Sequence, residues 1–250
     1  MKSAGVSNVA SKAALALSLR GLMAANSHLG HAVERQHPNM TRYVYGTRGG
    51  ISILHLEQTL SALRRACSVA ALVSPTDAVF VGSRRALHRI VSDAALGCGA
   101  QFATKWIGGA LTNRERVLKR SVRFDPDRVT QLAEHADVKR QPDVKLPSLL
   151  ILLDLNNNLH AVREANQLSI PVIAICDSDC DPNLVQYPIP ANDDSLSSVG
   201  LIAGLLATAL REGRSPIQQN YNNNSGERDF QQQQQRRDLD RNQKVCVGAV

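Results

Sequence analysis

The sequence predicts an α/β fold in which an open parallel sheet carries helices on both faces, giving three layers. Three observations carry the prediction. The apolar runs AVFV at 78–81, LLILL at 149–153 and VIAI at 172–175 are too continuous for a sheet with one wet face. Segments with apolar residues at helical spacing separate them. The connections are short, which favours one domain of the Rossmann/flavodoxin-like kind over two.

In chain order, residues 1–21 read as a basic N-terminal extension. Lys2, Lys12 and Arg20 accompany four Ser by residue 18, and no acid precedes Glu34. That is the composition of a mitochondrial presequence, so the expected location is the mitochondrial matrix, with another organelle as the alternative. Met23 to Tyr45 reads as loop. Ile51 to Leu56 is a short apolar strand after Gly49-Gly50. A helix follows from Glu57, with Leu60, Leu63, Cys67 and Ala70 on one face. Ser74-Pro75-Thr76-Asp77 breaks it before the strand at 78–81. Gly82-Ser83 then turns the chain into a helix with Leu87, Ile90, Val91 and Ala94 at i, i+3, i+4 and i+7, which Gly97 and Gly99 end. Gln101 to Ala103 is a further short strand.

The second half repeats the pattern. Asp127 to Val138 reads as a polar helix between Pro126 and Pro142. After the strand at 149–153, Asp154 and Asn156 to Asn158 lead into a helix from Leu159 to Leu168. Pro171 precedes the strand at 172–175. Tyr187 to Ile189 is an edge strand, because Pro188 cannot donate to a ladder. Asn192-Asp193-Asp194-Ser195 caps a last helix, Leu196 to Arg211, which is apolar nearly all round and therefore expected to be buried. Residues 22–213 form the expected α/β domain. Residues 214–250, rich in Asn and Gln, form a low-complexity polar tail.

A net charge of +7 and a pI near 9.4 favour an anionic partner, either nucleic acid or a membrane surface. No apolar run approaches the roughly 20 residues of a membrane helix. Charge is also segregated. Residues 1–50 carry six basic residues and one acid, whereas 145–212 carry three basic residues and eight acids. The densest cationic stretch is KWIGGALTNRERVLKRSVR, Lys105 to Arg123, with six positive charges against Glu115. It holds the only Trp, Trp106, beside Gly108 and Gly109. A ring, two flexible glycines and a row of cations suit a surface loop that lets another backbone come close. Cations set on phosphates would make binding salt-dependent.

Other constellations fare less well. Gly82-Ser83-Arg84-Arg85 follows a strand and opens a helix, an arrangement that attracts phosphate, yet it lacks both the G-x-G-x-x-G and the Walker patterns. Arg84, Arg85 and Arg89 can either grip RNA phosphates or form a solvated helix face, and the sequence leaves both open. Asp177, Asp179 and Asp181 have the first spacings of a Ca²⁺ loop but lack its Gly and closing Glu, so turn and cap duty is expected for them and for Asp193 and Asp194. Cys176 and Cys180 find no second ligand pair for zinc, and the odd count of five cysteines argues for reduced thiols. His28, His31 and His37 lack the spacing of a helical metal site, and packing and hydrogen bonding are expected of them. No metal, cofactor, catalytic group or small-molecule substrate is expected.

Six collinear blocks make the chain resemble the small-subunit ribosomal protein S-two family. They are SHLGH at 27–31, HPNMTRYVYGTRGGISILHLEQT at 37–59, VFVGSRR at 79–85, KWIGGALTN at 105–113, LLDLNNNLHAVREANQLSIPVIAICDSDCDP at 152–182, and IPANDDS at 189–195 leading to REGR at 211–214. The resemblance implies a non-catalytic α/β protein at the head–body junction of a small ribosomal subunit, bound to ribosomal RNA and to neighbouring ribosomal proteins. It implies RNA or assembly contacts at His28, His31, Asn39, Arg42, Arg48, Arg84, Arg85, Trp106, Gly108, Gly109, Thr112 and Asn113. Charge alone adds Lys105, Arg114, Arg116, Lys119 and Arg120. The chain departs from bacterial members, which carry a long helical hairpin after the TN motif. Here only 35 residues, Arg114 to Ser148, precede the next strand. With the N-terminal composition, this departure points to an organellar, mitochondrial type. The alternatives are a Rossmann-like nucleotide-binding enzyme built on the Gly82 turn and a membrane-surface adaptor built on the basic N-terminus.

Overall fold

The computed structural model describes residues 19–114, 117 and 146–213. The expected N-terminal extension, the helix at 127–138 and the polar tail lie outside these residues, as do Arg116, Lys119 and Arg120.

The predicted parallel sheet is present. Its strands are β4 (Ala78–Val81), β5 (Gln101–Ala103), β6 (Leu149–Leu152), β7 (Val172–Cys176) and β8 (Tyr187–Pro190). They lie side by side in the order β5-β4-β6-β7-β8, every pair parallel. Counted within the sheet this is 2-1-3-4-5, the flavodoxin-like doubly wound order. The chain reverses its direction of travel between β4 and β6. In register, Val81 pairs with Leu152, Leu152 with Ala174, and Cys176 with Pro190, so the carboxyl ends of four strands open onto one edge.

Alternation along the strands divides the core. Phe80, Leu149, Ile151, Ile173, Ile175 and Ile189 point to one face, covered by α2 (Leu56–Ala70), α3 (His88–Cys98) and α5 (Leu196–Gly213). Val81, Leu150, Leu152, Val172, Ala174 and Cys176 point to the other, covered by α4 (Leu159–Gln167) together with Met40, Leu54 and Leu111. Period-2 geometry thus gives one apolar run to both layers, which is why these strands read as unbroken hydrophobic blocks. β8 is an edge strand, as Pro188 requires; α2 covers it, and Thr59 Oγ1 donates to the Pro190 carbonyl at 2.6 Å.

Two expectations need correction. The stretch Met23 to Tyr45, read as loop, takes in the last two residues of α1 (Leu19–Ala24), all of β1 (Leu29–Ala32) and the first residues of β2 (Val44–Arg48). With β3 (Ile51–Leu54) these strands form a separate antiparallel sheet in the order β1-β3-β2. Arg48 pairs with Ile51 across Gly49-Gly50, whose φ angles of 59° and 77° make the two-residue turn that a right-twisted hairpin prefers. The last helix, α5, is not buried all round. Val199, Ile202, Ala203, Leu206 and Leu210 enter the core, while Leu196, Gly204 and Arg211 face outward. By length and composition α5 alone among the described helices is apolar enough to cross a membrane, and here it serves as a core helix.

Candidate nucleic-acid interface and the carboxyl edge of the sheet

The Trp106 loop is built around a carboxylate that sequence reasoning passed over. Glu164 of α4 is 9% exposed and receives four N–H groups from the loop. Gly109 N donates to it at 2.8 Å, Leu111 N at 2.9 Å, Trp106 Nε1 at 3.2 Å and Thr112 N at 3.4 Å. Burial alone pushes the Glu164 carboxyl up, but these donors outweigh it and hold the group below the usual glutamate range. The loop is therefore a fixed arch, with much of its backbone donation spent inward. Asn113 N closes on Gly109 O at 2.8 Å and Val117 N on Asn113 O at 3.2 Å, starting a helical turn. Lys105, Ile107, Gly108, Thr112 and Asn113 are exposed on the outer side, and Arg114 is half-buried. A signal for Glu164 existed. It lies three residues after Ala161 and next to Ala165, on the apolar stripe of α4 where an acid needs partners.

The Gly82-Ser83-Arg84-Arg85 turn is also already satisfied. Asp154, fully buried after β6, accepts Ser83 N and Arg84 N, each at 3.3 Å. It also accepts Asn157 Nδ2 at 3.3 Å and Asn158 Nδ2, while Ser83 Oγ donates to Asn158 Oδ1. Burial raises the Asp154 pKa, opposed by these donors and by Arg84. This carboxylate stands at the topological switch point, where a doubly wound fold ordinarily receives a ligand's phosphate. The amides are committed, and a fixed negative charge occupies the place.

Arg84 and His31 face the same acidic edge. Arg84 bonds Asp194 and the Asp193 carbonyl, with its guanidinium 3.6 Å from Asp193 Oδ1 and 3.9 Å from Asp154 Oδ2. His31 Nδ1 is 3.1 Å from Asp177 Oδ2, and its Nε2 is 3.3 Å from Asp194 Oδ2. The Asp177 contact, against the cost of burial and with help from the charges of Asp177, Asp179 and Asp194, raises the imidazole to about 9. Burial and then the neighbouring Asp177 push Asp193 up to about 7. Asp177 and Asp193 thus do more than the expected turn and cap duty. Ser195 takes the cap of α5, its Oγ accepting Ser198 N at 3.4 Å, while Asn192 Oδ1 closes the turn before it by accepting Asp194 N at 2.8 Å. Asp181 does cap a turn, accepting Asn183 N at 3.1 Å.

The remaining predicted residues fall into separate places. His28 lends its carbonyl to Leu54 N at 2.8 Å beside the small sheet. Asn39 Nδ2 donates to Asp181 at 3.0 Å, and Arg42 donates to Asn183 Oδ1 at 3.1 Å while lying over the Tyr43 ring. Arg48, at the hairpin, and Arg85 are exposed. The structure therefore joins His31 with Arg84, and Asn39 with Arg42, and it sets Lys105 to Arg114 on a third projection. Cys176 and Cys180 are buried thiols whose pKa burial raises, and the four described cysteines are unpaired.

The comparisons with known proteins agree. The family model for Ribosomal protein S2 matches residues 22–213. A small ribosomal subunit protein uS2 of Rubrobacter xylanophilus is 35% identical over 222 residues, covering 79% of this chain and 72% of its own length. The proteins of the same name from Endomicrobium trichonymphae and Synechocystis are each 32% identical, covering 80% and 79% of this chain and 92% and 82% of theirs. These relatives are ribosomal proteins rather than enzymes, and they are bacterial. Fold order, motif positions and relatives converge: the chain belongs to the Ribosomal protein S2 family.

Proposed function

We propose that this protein is a structural constituent of a small ribosomal subunit that binds ribosomal RNA and neighbouring ribosomal proteins, and that the subunit is organellar, of the mitochondrial type. The observation that carries the RNA reading is the Glu164-braced arch. It holds Lys105, Gly108, Thr112 and Asn113 outward in one geometry, so little ordering entropy remains to be lost on docking. Arg42, Arg48 and Arg85, exposed elsewhere on the chain, offer further cations. The acid-rich half keeps its charges at the carboxyl edge, paired with Arg84 and His31, away from the role of phosphate grip. The mitochondrial assignment rests on the acid-free, Ser-rich and basic N-terminal composition.

The test is sedimentation of organelle lysate through a high-salt gradient. The protein is expected to travel with small-subunit RNA; recovery at the top of the gradient overturns the reading. Replacing Arg85 and Lys105 by Glu is expected to block incorporation while thermal unfolding of the isolated chain stays unchanged. Normal incorporation removes both residues from the interface. Location is read separately, by incubating the full chain with isolated mitochondria. Protease-protected uptake is expected, and a chain that stays fully digestible refutes the mitochondrial assignment.

A further inference from the structure

A pocket of about 420 Å³ opens beside β8, the strand that ends the sheet order β5 begins. Its walls come from both layers. Arg65 stands on α2, Arg42 and Tyr43 close the short helical turn Pro38–Tyr43, and Asn183, Tyr187 and Pro188 lie between them. The lining holds two guanidinium groups and no carboxylate. Arg42 and Arg65 are both exposed, and neither forms an ion pair among the described residues. Arg42 is nonetheless fixed in place. Its Cζ lies 4.8 Å from the centre of the Tyr43 ring, and its Nη2 donates to Asn183 Oδ1 at 3.1 Å. Asp181, just before the lining residues in sequence, spends its carboxylate on Asn39 Nδ2 at 3.0 Å and Asn183 N at 3.1 Å. The strand itself excludes one kind of occupant. Ala191 N donates to Cys176 O at 3.1 Å, so alternate residues of β8 face β7 and the outward positions fall to Pro188 and Pro190, which have no N–H. The outward carbonyl of Pro190 already accepts Thr59 Oγ1. An extended peptide therefore finds no donors with which to join the sheet here.

We propose that this pocket receives one unpaired nucleotide of the small-subunit ribosomal RNA, its phosphate between Arg42 and Arg65 and its base on the Arg42–Tyr43 stack. The inference rests on the RNA reading above and adds a second attachment point, at the sheet edge opposite β5, from which the arch departs. Three observations select a nucleotide. Two guanidinium groups without a carboxylate partner suit phosphate, which arginine grips through parallel N–H donors. A guanidinium plane laid over a tyrosine ring is a surface on which an unstacked base rests. The volume falls within the roughly 300–1,000 Å³ of small-ligand sites, which admits a single nucleotide and no duplex. Reading of base identity is limited. Gln186 spends both ends of its amide, Oε1 accepting Val172 N at 3.0 Å and Nε2 donating to Asn166 Oδ1 at 2.9 Å. Asn183 Oδ1 is held by Arg42. The pocket thus recognises phosphate and ring more than sequence. Arg65 lies outside the six blocks on which the family resemblance rests, so the motifs alone did not point to it.

The test photo-crosslinks the full chain to small-subunit ribosomal RNA carrying 4-thiouridine and maps the adducts by mass spectrometry, beside filter-binding titrations over a range of salt. A crosslink at Tyr43 or Tyr187 is expected. Arg65→Ala is expected to weaken binding about fivefold and to lower the slope of log K against log salt by about 1. Arg42→Lys keeps the charge and loses the plane, so affinity should fall about fivefold or more with the slope unchanged. Arg64→Ala, one residue along α2 and outside the lining, should change neither. Arg65→Ala should melt as the wild type does, because its side chain is exposed; if Arg42→Lys melts lower, Arg65→Ala decides alone. Crosslinks confined to the Lys105–Asn113 arch, with Arg65→Ala binding as wild type, overturn this site and leave the RNA reading standing. Absence of any crosslink and of any RNA binding removes both. Equal losses from Arg64→Ala and Arg65→Ala reduce the pocket to general surface charge and overturn it. Uridine monophosphate that binds as tightly as the RNA, and is weakened by Arg65→Ala, overturns the RNA as occupant. Arg65→Ala that binds RNA normally yet fails to enter the subunit assigns the pocket to a protein neighbour and overturns the proposal as well.

Discussion

Glu164 carries a charge into a buried helix stripe otherwise made of Ala161, Val162 and Ala165, and four loop donors make that tolerable. Each is a charge-assisted bond, the stronger kind. Replacement by Gln leaves one acceptor oxygen for four donors and sets an NH₂ group against N–H groups. Glu164→Gln is expected to lower stability by about 2 kcal/mol or more in urea unfolding. The pH dependence has a definite sign. The folded pKa lies below the ordinary glutamate value of 4.5, so the stabilisation is full above that value and is lost as pH falls through the lower folded one. Between about pH 7 and about pH 3 the wild type should therefore lose more stability than Glu164→Gln. Trp106, the only Trp, reports on the same contact, since its indole N–H donates to Glu164, so its emission should shift in the variant at neutral pH. An unshifted emission with unchanged stability would mean that the arch stands without its acid.

At the scale of elements, the β4–α3 unit depends on a close approach. A Cβ added at Gly82 would lie 2.7 Å from Val91 Cγ2, and Val91 is fully buried with a stiff χ1. Gly82→Ala should cost about 1–3 kcal/mol, and adding Val91→Ala should return part of it in a double-mutant cycle. Strict additivity of the two would show that the turn moves as a unit instead. This unit was legible because its strand is a continuous apolar run and its helix keeps one period. The same holds for β6, α4 and β7, whose local pattern matches their tertiary burial. The antiparallel sheet was not legible in the same way. β1, Leu-Gly-His-Ala, is nowhere fully buried, and its partner β3 begins 19 residues beyond its end, with the hairpin partner β2 between them. Gly49-Gly50 was the one available sign of that hairpin. The acidic edge was hidden for a similar reason. His31 lies 146 residues from Asp177, and no spacing rule links positions that only the sheet order brings together.

On the scale of the whole molecule, the cations among the described residues divide into two populations that sequence counts cannot separate. Arg84 is 28% exposed and committed to Asp193, Asp194 and Asp154, so its charge is balanced within the fold. Lys105, Arg48 and Arg85 project from the opposite kind of surface, with exposed side chains. Only the second population can release counterions from a docked phosphate chain. This yields a prediction about slope rather than affinity. In filter-binding titrations of small-subunit ribosomal RNA over a range of salt, Lys105→Ala and Arg85→Ala should each reduce the slope of log K against log salt by about 1 if each meets one phosphate. Arg84→Ala should leave the slope as it is and instead lower the melting temperature, because it strips buried Asp193 and Asp154 of their cation. If Arg84→Ala flattened the slope as much as Lys105→Ala, the acidic edge would have to open on RNA binding and release its arginine. If none of the three altered it, the basic surface would be a solvated face, and the protein would take its place in the subunit through protein neighbours alone.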